Sequence, residues 1–74
     1  MPASTIIVHH KDGSPARDTR VVLGFAMGMS ETVYTDRNGL AVVEHASRGE
    51  ATVYIKGSKQ GKFQAPGKFA VTLR

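Results

Sequence analysis

Apolar and polar residues alternate in short runs along this chain. In Arg20–Met27, Val21, Leu23 and Phe25 hold one set of alternate positions; Arg20, Val22, Gly24 and Ala26 hold the other. Ala51, Val53 and Ile55 alternate with Thr52, Tyr54 and Lys56, and Phe69, Val71 and Leu73 with Ala70, Thr72 and Arg74. Successive side chains of a strand point to opposite faces. This period of two therefore predicts the half-buried strands of an antiparallel sheet. The runs rich in Val, Ile, Thr, Tyr and Phe place seven strands at Thr5–His10, Arg20–Met27, Thr32–Thr35, Leu40–His45, Ala51–Lys56, Lys62–Gln64 and Phe69–Leu73. No stretch keeps the three-to-four spacing of an amphipathic helix over ten or so residues. Leu40–Ser47 contains good helix formers, but it is short, lacks an N-cap and follows a turn signal. It reads as a strand with Ala41 and Val43 inward and Leu40 and Val42 outside or beneath a second layer.

Turn signals separate these runs: Asp12-Gly13-Ser14-Pro15, Gly28-Met29-Ser30, Asp36-Arg37-Asn38-Gly39, Ser47-Arg48-Gly49, Gly57-Ser58-Lys59-Gln60-Gly61 and Pro66-Gly67. At Asp36 a carboxylate is placed to accept from the backbone two residues on, and Gly39 tolerates the left-handed conformation that closes such a turn. The segment is expected to be a hairpin joining two antiparallel neighbours. Gly57–Gly61 is expected to be a flexible hairpin loop. Seven short strands with one apolar face each hide those faces by packing two sheets together. The expected fold is all-β: a seven-stranded antiparallel Greek-key sandwich, formed by residues 1–74 as a single domain.

Composition narrows the picture. A chain of 74 residues holds one domain, and at this length only about 60% of the unfolded surface is buried. With no cysteine, disulfides and thiolate metal sites are excluded. Met1-Pro2-Ala3-Ser4-Thr5 lacks the basic and apolar regions of a secretory signal. If Met1 is the native start, a cytoplasmic protein is expected, or one exported by a route that reads no such signal. The formal charge is +4, and it is unevenly placed. From Ala51 onward lie five basic residues (Lys56, Lys59, Lys62, Lys68 and Arg74) and no acidic one, whereas the first fifty residues hold five basic and six acidic groups. Such a basic end attracts anions, although a solvated lysine face serves solubility equally well.

Catalytic and metal chemistry find little support. His9 and His10 project to opposite faces of a strand, so they do not chelate one ion together. A site made with His45 needs the first and fourth strands side by side, plus a third ligand such as Glu44 or Asp12. Ser47, His45 and Asp36 assemble a triad on paper, but no nucleophile elbow supports it. Asp36-x-Asn38 opens like a calcium loop, and Leu40 and Ala41 then break the pattern. Gly57–Gly61 lacks the Gly-Lys-Ser/Thr of a phosphate-binding loop. No catalytic, metal or cofactor residue is assigned, and the chain is not expected to be an enzyme.

Four strings taken together, Asp12-Gly13-Ser14-Pro15-Ala16, Val21-Val22-Leu23, Thr35-Asp36-Arg37-Asn38-Gly39-Leu40-Ala41 and Gly49-Glu50-Ala51-Thr52-Val53-Tyr54-Ile55-Lys56-Gly57, resemble the carboxypeptidase regulatory-like domains of the transthyretin-like (prealbumin-like) β-sandwiches. Immunoglobulin-like bacterial modules share much of this pattern. The resemblance runs from about residue 5 to the C-terminus. It implies an accessory, spacer or adhesion module without a common catalytic centre. One enzymatic branch of that fold, which hydrolyses 5-hydroxyisourate, carries a C-terminal Tyr-Arg-Gly-Ser. Here Tyr54-Ile55-Lys56-Gly57-Ser58 is a different string in a different place.

The expected function is thus a non-catalytic protein-interaction or accessory module. The alternative is carbohydrate or polyanion binding through the basic Lys56–Lys68 region. The candidate surface is Tyr54, Lys56, Lys59, Lys62 and Lys68, with Tyr34 and Phe63 as further aromatics. The expected partner is another protein, with homo-oligomerisation by edge-strand pairing as one route.

Overall fold

The computed structural model describes residues 2–73, and the protein is all-β with no helix among them. The strands are β1 (Ala3–His9), β2 (Arg20–Phe25), β3 (Gly28–Met29), β4 (Val33–Tyr34), β5 (Leu40–Glu44), β6 (Gly49–Ile55), β7 (Ser58–Ala65) and β8 (Lys68–Thr72). One sheet has the order β5-β1-β8; the other has β3-β2-β6-β7, with β4 also paired to β2. Two features correct the expected seven-stranded antiparallel sandwich. The described residues form eight strands, because Gly28–Met29 pairs with Gly24 and Phe25 instead of forming only a turn. In addition, β8 runs parallel to β1, so the smaller sheet is mixed.

The period-two alternation is realised as inward and outward faces. Ile6 and Val8 from β1, Ala41 and Val43 from β5, and Val71 from β8 form the buried face of the smaller sheet. They meet Val21 and Leu23 from β2 and Val53 and Ile55 from β6. Burying each such Val, Leu or Ile contributes about 1.5–3 kcal/mol. Two aromatic pairs bridge the sheets. Phe25 packs on His45 with centroids 5.0 Å apart, and Phe63 on Phe69 at 5.6 Å.

The Asp36–Gly39 turn forms locally as its residues dictate. Gly39 donates its N–H to the Asp36 carbonyl at 2.9 Å, and Asp36 Oδ1 accepts from the backbone of Asn38 at 2.8 Å and of Leu40 at 3.0 Å. It is not, however, the hairpin expected. β4 pairs with β2 and β5 with β1, so the turn is a corner that carries the chain from one sheet to the other. Gly39 has φ +76° and is buried against β1, where Val8 donates its N–H to the Gly39 carbonyl at 2.7 Å. A Cβ at this position would collide with the Val8 carbonyl oxygen. Turn chemistry is local, whereas the sheet each flanking strand joins is decided by burial across the whole molecule.

Hairpins form instead at β2–β3 and, at greater length, at β6–β7. Lys56 (φ 53°) and Gly57 (φ 84°) form the two-residue loop of the latter, and Ile55 pairs directly with Ser58. Positive φ at both loop residues is the geometry that matches strand twist. The expected flexible loop over Gly57–Gly61 is therefore corrected: Ser58–Gly61 belongs to an eight-residue strand. A register shift opposite Val53 and Tyr54 inserts Gln60 as a β-bulge.

Candidate functional site

The outer face of the larger sheet gathers the aromatic and basic side chains that the sequence singled out. Register places them in three rows. Tyr34 on β4 pairs with Arg20 on β2, whose carbonyl accepts from Lys56 N at 3.0 Å. Val22 pairs with Tyr54, and Tyr54 with Lys59. Met29 pairs with Gly24, Gly24 with Thr52, and Thr52 with Lys62. Each row begins on the β3/β4 side with an aromatic or apolar residue and ends in a lysine. Tyr34 and Met29 are 61% and 64% exposed, which leaves large apolar groups open to a partner.

Tyr54 sits at the centre of this face and is half-buried. Gly24 creates its seat: a Cβ there would stand 2.8 Å from Tyr54 Cε2, so the ring lies over bare backbone. Beside it runs an open groove of about 420 Å³ whose lining includes Phe25, Met27, Met29, Arg48 and Tyr54. Met27 was expected inside a strand; it is 93% exposed beyond the end of β2, on the turn into β3. That turn doubles the chain back along β2. Ser30 continues the edge, accepting from Leu23 N at 2.9 Å and donating its own N–H to the Leu23 carbonyl at 2.8 Å.

The five candidate surface residues do not form one patch. Tyr54 and Lys62 share the outer face, and Lys59 and Lys56 stand at its corner beside the β6–β7 turn. Lys68 lies on β8 in the other sheet, paired with Thr5. The Lys56–Lys68 region is therefore split, because the chain changes sheets between β7 and β8. Phe63 faces inward on Phe69 and is no stacking platform. Lys62 Nζ lies 3.5 Å from Glu50 Oε1, with both side chains about half exposed, and such a pair contributes roughly 0–1 kcal/mol.

The titratable residues are placed for structure. The antiparallel register sets Ala3 opposite Glu44, and His45 donates its N–H to the Pro2 carbonyl. His9 lies at the far end of β1, so adjacency of the two strands does not bring it to His45. Among the described residues no three His, Cys, Asp or Glu groups are arranged to hold a metal ion. His45 is 5% exposed, with Nδ1 2.7 Å from the Ser47 carbonyl and Nε2 2.8 Å from Ser4 Oγ. A carbonyl only accepts, so Nδ1 carries a proton toward the Ser47 carbonyl, and Nε2 and the Ser4 hydroxyl share the second hydrogen bond. Ser4 Oγ in turn accepts from Gly67 N at 3.2 Å. Ser4 is fully buried, out of reach of a substrate. The Ser47 contact is through its backbone, and Asp36 sits before β5 while His45 follows it, so the paper triad does not assemble.

Thr35 was not singled out from the sequence. Its hydroxyl donates to the Ala16 carbonyl at 2.6 Å and accepts from Thr19 N at 2.9 Å, fixing the 16–19 segment against the corner. Its position just before Asp36 was the available signal. Compared with known families and with curated proteins, the chain matches none. The aromatic–basic sheet face is therefore the feature from which function is argued.

Proposed function

We propose that this protein is a non-catalytic interaction module that binds a partner protein through the outer face of the larger sheet, as the resemblance to carboxypeptidase regulatory-like and transthyretin-like sandwiches implies. The observation that carries the reading is Tyr54 seated on Gly24, with Val22, Met29 and Tyr34 exposed or half-buried around it. Rigid aromatic anchors beside exposed methionine are the composition of protein-binding surfaces. Arg20, Lys56, Lys59 and Lys62 border the face and Glu50 is its one acidic member, so the complementary partner is acidic at its rim.

A face is favoured over an edge. β7 is the long free edge of the larger sheet, but it carries Lys59, Lys62 and a bulge, features that block addition of another strand. A photo-crosslinking residue at Tyr34 should capture the partner from cells, and the same residue at Val42, on the outer face of the smaller sheet, should not. Equal capture at the two positions would overturn the assignment of the face.

A further inference from the structure

We propose that the cleft at the end of the sandwich, between His10 and the β6–β7 hairpin, binds a multiply charged oxyanion of the phosphate or sulfate class. The cleft shares Lys56 and Lys59 with the border of the sheet face but uses neither Tyr34, Met29 nor the groove beside Tyr54, so its oxyanion test is read apart from partner capture at Tyr34.

The cleft has a volume of about 580 Å³ and is lined by His10, Lys56, Ser58, Lys59 and Gln60 over Ile55 and Leu73. It is assembled from both sheets. His10 and Leu73 follow β1 and β8, and Leu73 N donates to the His9 carbonyl at 2.7 Å, holding those two strand ends together. The other lining residues come from the β6–β7 hairpin.

Three observations point to an anion. First, among the described residues the lining holds two lysines and a histidine and no acidic side chain. Asp12 is the acidic group that feels His10, and its carboxylate is already engaged by the backbone and hydroxyl of Ser14 at 2.9 and 2.6 Å. Second, the ion pair among the described residues is Lys62–Glu50, so Lys56 and Lys59 are not neutralised by an acidic side chain. Third, Ser58, Lys59 and Gln60 all line the cleft although they are consecutive. A regular strand would send the middle one to the opposite face. The bulge at Gln60 re-aims these side chains, a device found beside binding sites. The lining residues carry two ammonium groups, a hydroxyl, an amide and an imidazole, a donor set suited to several oxyanion oxygens.

The test is a nuclear magnetic resonance titration of the full chain with inorganic pyrophosphate, with inorganic sulfate, and with chloride at matched ionic strength. The expected result is a saturable change confined to His10 and Lys56–Gln60 with one or both oxyanions and none with chloride. Whichever saturates at the lower concentration identifies the source of the oxyanion. Combining Lys56→Asn, which suits the turn, with Lys59→Gln should weaken that binding at least about tenfold, because both ammonium groups of the lining are then gone. Shifts spread equally over Lys62 and Lys68, an equal response to chloride, or undiminished binding by the double variant would overturn the proposal.

Discussion

Gly39 combines a φ of +76° with a backbone approach so close that a Cβ would strike the Val8 carbonyl. Gly13 has a comparable φ of +93° but nothing within 4 Å of its would-be Cβ. The pair separates conformational strain from collision. Gly13→Ala should cost about 1 kcal/mol from the left-handed backbone alone. Gly39→Ala should cost about 3 kcal/mol or more, because the corner must move off β1 as well. Urea denaturation of both variants checks this, and equal losses would mean that the corner is not packed as described. Asp12 supplies a second test. Hydrogen bonds from the Ser14 hydroxyl and then the Ser14 backbone hold its carboxyl below the ordinary aspartate value. A depressed folded value favours the folded state above the unfolded value, and that contribution is lost as pH falls through the folded one. Ser14→Ala should therefore raise the Asp12 titration midpoint toward normal, as followed by carboxyl carbon resonances. The loop's local chemistry was legible from Asp12-Gly13-Ser14 because an Asx-type turn needs only near neighbours.

The strands' inward faces were equally legible, since Val21/Leu23, Val53/Ile55 and Phe69/Val71 alternate with a strict period of two. What failed at this scale was non-local. Thr32–Thr35 and Leu40–His45 flank a turn of hairpin chemistry yet join different sheets, a choice made by distant partners on β2 and β1. Lys62–Gln64 reads as a strand, but the first half of β7, Ser58–Gly61, is polar and glycine-containing and shows no apolar alternation; it is a strand because it pairs with β6 at a sheet edge. Gly57-Ser58-Lys59-Gln60-Gly61 accordingly read as a loop, whereas only Lys56 and Gly57 turn. Lysine is a poor occupant of a left-handed loop position, and asparagine suits it. Lys56→Asn should thus stabilise the protein by about 1 kcal/mol, seen as a raised thermal midpoint. No gain would mean that the two-residue loop is drawn incorrectly.

At the scale of the whole molecule, the first and last strands lie side by side, and each sheet turns one face to solvent. Tyr54 and the lysines could be singled out from sequence as an aromatic beside a basic stretch. Their grouping could not, because Lys68 changes sheets after β7, while Tyr34, Met29 and Arg20 reach the same face from distant points in the chain. Gly24 as the seat of Tyr54 was likewise invisible, being a cross-strand relation between residues thirty positions apart. The central claim is that this face binds the partner, and the most direct measurement is the affinity of the captured partner for Tyr54→Ala compared with Val42→Thr, each confirmed folded by circular dichroism. The account predicts a loss of about 2 kcal/mol, roughly thirtyfold, for Tyr54→Ala and no change for Val42→Thr. Unchanged affinity for Tyr54→Ala, or an equal loss for Val42→Thr, would contradict it.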